Sequence, residues 1–256
     1  MMRAPGGIRL GRRGLDPWSA PHFMSMYVRS WKPFIPAVTN RSTSPQNPRK
    51  PRNTLKVARK AVRDIRREQL IEAAIRAISL HGIGETTIAD VVKEAGMANG
   101  AVNQYFASKD MLLLEALRAV TGEFREIWHA AKAGAGEDPA AILEALALAQ
   151  LHPKVCRRER ISVWVAYWSE VRFRPKYMEL CSDSDAEFAK ALTDACQALI
   201  KAGKYRDVNP EKIGQFLSAA SDGLWLNIML GTLTRDQALE LLSAHLQSVF
   251  PKHFPR

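Results

Sequence analysis

The chain has 256 residues, with 37 Lys and Arg against 26 Asp and Glu, a formal net charge of +11, three cysteines and six histidines. That length suits one or two modest domains. Cys156, Cys181 and Cys196 are odd in number and widely spaced, with no C-x-x-C pair and no zinc pattern, which points to reduced thiols. No apolar run is long enough to span a bilayer, and no glycine-rich phosphate loop, nucleophile elbow or H-E-x-x-H pair occurs. The expectation is therefore a cytoplasmic, non-enzymatic protein with no metal and no cofactor.

The positive charge is not spread evenly. Residues 1–63 hold 14 Lys and Arg against one acid, Asp16, while the rest of the chain holds 23 against 25. Eight of the 14 prolines fall in residues 1–53. Residues 1–59 are accordingly expected to be a disordered, basic, Pro-rich extension. Three readings of it stay open: an arm adding non-specific affinity for nucleic acid, a translation start nearer Met24 or Met26 or later, and an Arg-rich leader resembling an organelle transit peptide. Global basicity thus says little about what the folded part binds.

A first helix is expected from about Lys60 to His81, with Leu70, Ala73, Ala74, Ala77, Ile78 and Leu80 as its apolar stripe and Gly82 and Gly84 ending it. Arg66 and Arg67 near its start are candidates for phosphate contact, or else a solvated turn. From Thr86 to Leu112 the chain reads as two short helices, a tight turn between them, and a third helix starting at once. Thr86 or Thr87 can N-cap the first, Ile88, Val91 and Val92 form its buried face, and Ala95-Gly96 ends it. The second is expected from Ala98 or Asn99 to Phe106, anchored by Val102 and Phe106. Asn99 and Asn103 would point outward, each with the donor and acceptor needed to pair with an adenine edge. Ser108 can cap the next helix, leaving Lys109 and its first amides facing a phosphate.

Thr87, Ile88, Val91, Ala95, Gly96, Val102, Tyr105, Phe106, Ser108, Lys109, Asp110 and Leu112 together resemble the helix-turn-helix of TetR-type transcriptional repressors. The resemblance implies that Asn99, Gly100, Asn103 and Gln104 read bases. It implies that Thr87, Ala101, Tyr105 and Lys109, joined by Arg66 and Arg67, hold the phosphate backbone. Met97, Ala98 and Asn103 depart from the usual Val, Ser and Tyr. The Asn-Gly pair narrows the resemblance to the BetI type, the choline-responsive repressors.

Downstream, a long helix after Lys109 carries Leu113, Leu117, Val120, Phe124, Ile127 and Trp128 at spacings of three and four. Residues 133–139 read as a loop, Pro139 opens a helix with Ile142, Leu143, Leu146 and Leu148, and Pro153 ends it. In RISVWVAYWSEVRF, Trp164, Tyr167, Trp168 and Val171 form an aromatic stripe. In the helix from Lys212 to Leu230, Leu217, Ala220 or Ser221, Leu224 and Ile228 make one face, and Asp222, Trp225, Leu226 and Met229 another. A helix apolar on two sides must be covered on both. With the last helix, Arg235 to Phe250, it would build a four-helix dimer interface.

The BetI-type resemblance extends to RISVWVAYWSE and SDGLWLNIML, covering about residues 60–250 and weakest between 172 and 215. It implies an all-α protein: a three-helix DNA-binding head (60–110) and a helical ligand-binding and dimerisation domain (111–256). It also implies a homodimer on a palindromic operator, released by choline or a related quaternary ammonium compound and controlling glycine betaine synthesis genes. Trp164, Tyr167, Trp168 and Trp225 would supply aromatic faces for the cation, and Asp222 or Glu170 its counter-charge. These side chains also read as ordinary core. Two other functions stay in view: a TetR-type regulator of efflux or lipid metabolism, and an all-helical interaction protein with a degenerate head.

Overall fold

The computed structural model describes residues 52–98, 100–170, 172 and 175–255, with side chains from Val57 onward. The extension up to residue 51, and Asn99 with it, lies outside the described residues. Among those described, every regular element is helical.

Helix α1 runs from Arg52 to Glu85, so it starts eight residues before position 60 and overruns His81. Only glycine readily takes the backbone of Gly82 (φ 78°, ψ 164°), and there α1 kinks instead of ending. Leu70, Ile71, Ala73, Ala74, Ile75, Ala77 and Ile78 are buried. Leu80 is exposed, two residues past Ile78 and so turned by about 200° from it.

Helix α2 is Ile88–Ala95 and α3 is Ala101–Tyr105. Helix α4, Lys109–Gly134, leaves the head and enters the body, where α5 (Pro139–Ala149) and α6 (Arg158–Glu170) pack on it. Asp138 caps α5 through the amides of Ala140 and Ala141, with Pro139 in the first turn. Helix α5 ends at Ala149, ahead of Pro153.

Helix α7, Pro175–Gly203, fills most of the segment where the family resemblance is weakest. It buries Tyr177, Cys181, Phe188, Leu192, Cys196 and Leu199 against α5 and α8. Helix α8 is Pro210–Leu230, capped by Asn209 and closed by Gly231 at φ 74°. Helix α9, Arg235–Val249, opens with a capping box of Thr234 and Gln237. The body core gathers Trp128, Leu143, Leu146, Ile161, Leu192, Leu199 and Phe250, all essentially without solvent contact. The core face of α8 is Gly214, Leu217, Ser221 and Trp225. Trp225 therefore belongs to the buried face of Leu217 and Ser221, reached from Leu217 in steps of four, with Asp222 at its edge one turn earlier, while Leu226 is exposed.

Candidate functional site

The head is built by local chemistry. Thr87 Oγ1 accepts from the Asp90 amide, and Asp90 in turn accepts from the Thr87 amide at 2.9 Å, a reciprocal capping box. Hydrogen bonds from the Thr87 hydroxyl and amide hold the Asp90 carboxyl below the usual carboxylate range. Thr86 is buried and donates its hydroxyl to the Gly82 carbonyl, so Thr87 is the cap and Thr86 is the brace. Gly96, at φ 64°, closes α2 in the left-handed conformation.

Helix α3 is shorter than the sequence suggests. It begins at Ala101, not at Ala98 or Asn99, and its N-cap, Gly100, makes no side-chain hydrogen bond. Alanine at position 98 has no oxygen to hold an earlier start; its carbonyl accepts from the Ala101 amide in a turn. Tertiary burial of Val102 and Phe106 fixes α3 instead. Gly100, Asn103 and Gln104 lie exposed on its outer side, while Ala101 and Tyr105 are half-buried at its flanks. Ser108 caps α4 by accepting from the Met111 amide, and Lys109 Nζ lies 3.4 Å from the Gly84 carbonyl.

The two arginines of α1 have different surroundings. Arg66 is exposed and donates to Gln69. Arg67 is turned inward: it donates to Glu115 at 2.5 Å, and its guanidinium stands 5.2 Å from the Phe106 ring centroid. Arg67 thus ties α1 to the end of α3 and to α4, leaving Arg66 the freer of the two to meet a phosphate. Glu115, with only 11 % of its side chain exposed, is held by two guanidiniums, those of Arg67 and Arg118.

In the body, α4, α6, α7 and α8 enclose a cavity of about 260 Å³. Its aromatic lining is Phe124, Trp164, Trp168, Phe188 and Trp225, with Asp185, Asp222 and Ser218 completing the wall. Trp225 is the hub. Its ring lies parallel to Trp168 (centroids 6.4 Å apart, 7°), tilted to Trp164 (6.0 Å) and edge-on to Phe124 (6.1 Å, 89°). The Trp225 indole N–H donates to the Gln150 carbonyl at 2.7 Å, which fixes the ring. Trp164 and Trp225 are buried, whereas Trp168, Asp185 and Asp222 form an exposed rim. Desolvation, then the neighbouring Asp185, pushes the Asp222 carboxyl up to about 6; desolvation raises Asp185 as well. The Trp164 indole N–H and the Gln150 side-chain Nε2 are buried with no hydrogen-bond partner among the described residues.

The cavity brings Trp164, Trp168, Asp222 and Trp225 together and leaves out two expected residues. Tyr167 sits about 100° around α6 from Trp168, so it faces α7. Its hydroxyl lies 3.9 Å from Met178 Sδ and its ring 6.3 Å from that of Tyr177. Glu170 lines a different cleft, beside the end of α1, with His81, Ser162 and Met229. Asp185 and Phe188 escaped the sequence reading because they sit on α7. The one signal within reach was Ser218, a helical turn before Asp222. Among the described residues, no group of three or more His, Cys, Asp or Glu is arranged to hold a metal ion.

Known proteins place this architecture. Residues 70–116 match the family described as bacterial regulatory proteins, tetR family. Residues 139–251 match the BetI-type transcriptional repressor, C-terminal family. The HTH-type transcriptional regulator BetI of Burkholderia thailandensis is 33% identical over 202 residues, covering 72% of this chain and 93% of that protein. BetI of Stenotrophomonas maltophilia is 30% identical over 168 residues, covering 66% and 83%. Among solved structures, a transcriptional regulator from Pseudomonas aeruginosa PAO1 superposes with a TM-score of 0.63 at 26% identity, covering 75% of this chain and 94% of that one. A regulator from Saccharomonospora viridis, crystallised in complex with choline, gives 0.63 at 27%, covering 71% and 95%. The chain therefore belongs to the TetR family of helix-turn-helix transcriptional regulators, and within it to the BetI-type repressors.

Proposed function

We propose that this repressor binds a palindromic operator as a homodimer and is released by choline or a closely related quaternary ammonium compound, so controlling genes of glycine betaine synthesis. One observation carries the ligand: a small aromatic cavity with two carboxylates on its rim. A quaternary ammonium offers no hydrogen-bond donor, so aromatic faces and fixed negative charge are what can recognise it. About 260 Å³ suits a headgroup-sized cation and leaves no room for a long acyl chain. The choline complex of the Saccharomonospora viridis regulator supports the same chemistry.

Gly100, Asn103 and Gln104, with Asn99, are the proposed base readers, and Thr87, Ala101, Tyr105, Lys109 and Arg66 the proposed phosphate contacts. The ordered head, anchored by Val102 and Phe106, favours DNA binding over the reading as an interaction protein with a degenerate head. For dimerisation, α8 leaves Phe216, Leu226 and Leu230 exposed and α9 leaves Leu241, an apolar surface suited to a second copy. Among the described residues no helix is long and apolar enough to cross a membrane, in keeping with the proposed cytoplasmic setting.

Ligand and operator must favour different arrangements of the two heads, since a ligand with equal affinity for both would change nothing. The test is a footprint on a DNA site selected from a random-sequence pool, titrated with choline. Protection of two half-sites about one helical turn apart, lost as choline rises, is the expected result. A protected site indifferent to choline refutes the ligand and leaves the repressor.

A further inference from the structure

Arg160 joins three helices that the proposed function requires to act together. It is 8 % exposed and sits on α6, one turn before Trp164 of the cavity. Its two Nη atoms donate as a fork to the carboxylate of Glu72 on α1, at 3.1 and 2.9 Å. Its Nε donates to Glu123 on α4 at 2.8 Å. Glu123 adjoins Phe124, which also lines the cavity. The two carboxylates offset the desolvation of the guanidinium and raise its pKa further. A fork of parallel hydrogen bonds fixes direction as well as distance, which a single ammonium cannot do. Beside it, the hydroxyls of Ser79 on α1 and Ser162 on α6 lie 3.2 Å apart.

The node has a cavity wall on one side and the DNA-binding head on the other. Glu72 lies between Leu70 and Ile75, within the buried stretch of α1 that packs against α2 and α6. A molecule seated against Trp164 or Phe124 would therefore lie within one helical turn of Arg160 and of its partner Glu123.

We propose that Arg160 is the positioning residue that couples the cavity to the head, transmitting movement of α6 and α4 to α1 through Glu72 and Glu123. The coupling rests on the ligand-released repressor reading above. It makes Arg160 a determinant of the response to ligand rather than of affinity for either partner. Coupling of this kind is reciprocal, so DNA binding must also be felt at α6.

The test uses the full chain and its selected DNA site. DNA affinity is measured with and without saturating choline for wild type, Arg160→Lys, Arg160→Met, Glu72→Gln and Glu123→Gln. Choline is expected to weaken DNA binding of wild type by about five-fold or more, and that of Arg160→Met and Glu72→Gln by less than about two-fold, with choline affinity little changed. Arg160→Lys keeps the charge but not the fork and falls between. Glu72 and Glu123 are more exposed than Arg160, so their Gln variants carry the test if Arg160→Met does not fold. In parallel, backbone hydrogen exchange along α6 is followed with and without DNA and without any ligand. DNA is expected to change α6 exchange in wild type and not in Glu72→Gln. An intact choline factor in the Met and Gln variants, with only stability lowered, overturns the proposal. So does α6 exchange that DNA leaves unchanged in wild type. If wild type ignores choline while DNA still alters α6 through Glu72, the choline assignment fails and the role of Arg160 stands.

Discussion

Acidification should weaken ligand binding, and the size of the effect follows from Asp222. Its carboxyl has been pushed up to about 6, by desolvation first and by Asp185 second. A cation favours the ionised carboxylate and a proton favours the neutral acid, so binding falls as pH falls through that value. With a pKa of about 6, the group is about 90% ionised at pH 7 and about 10% at pH 5, a loss of roughly ten-fold in affinity. Asp185 is raised too, and the two carboxyls titrate as a coupled pair. The other two walls of the cavity, α4 and α6, contribute only aromatic rings. Solvent at the rim screens both carboxylates and the aromatic faces bind at any pH, so ten-fold is the most that Asp222 alone contributes. Choline is the right probe because its own charge does not titrate. Calorimetric titrations at pH 5, 6, 7 and 8 and fixed ionic strength should show the fall and a fractional proton release near pH 6. Asp222→Asn should bind more weakly at pH 7 and lose most of the slope. Equal affinity at pH 5 and pH 8 in wild type, or an undiminished slope in Asp222→Asn, refutes the reasoning.

Trp168→Ala should weaken choline binding by about two- to five-fold, the share of one partly exposed cation–π face, while Tyr167→Phe should have no effect by the same calorimetry. Removing the cap with Thr87→Ala should lower stability by about 1 kcal/mol, read from thermal or denaturant unfolding. Asn103→Ala should narrow the gap between selected and random DNA. Lys109→Ala should weaken both alike and reduce the slope of log affinity against log salt by about 1.8, about 0.9 for each subunit of the dimer. Leu226→Glu puts a charge on the apolar side of α8 and should yield monomers in sedimentation and a loss of operator binding.

The head was legible because its signals are local. Thr87, Gly96 and Ser108 act on amides and carbonyls a few residues away, so their spacing alone locates α2 and the start of α4. The start of α3 was not legible. Its position depends on how Val102 and Phe106 seat in the core, and Ala98 carries no capping oxygen to mark it. Arg66 and Arg67 are neighbours in sequence with opposite surroundings, and what separates them is Glu115, 48 positions on. The tryptophans of α6 and α8 were visible as motifs. Asp185 and Phe188 were not, because the polar run from Ser182 to Asp185 masks the stripe that α7 buries. Tyr167 shows the remaining gap: spacing puts a residue near a face, but neighbouring helices decide which cavity it meets.

The long α1 has a practical consequence for building sensors from this protein. Its buried stretch from Leu70 to Ile78 packs beneath α2 and against α6. The three-helix unit is therefore no cassette to be lifted out and exchanged. A head transplanted whole from another regulator would bring a foreign surface to α6 and a foreign residue opposite Arg160. Gly100, Asn103 and Gln104, by contrast, stand exposed on the outer side of α3. New operator preferences are best written there, one side chain at a time, with the rest of the head left as the body fits it.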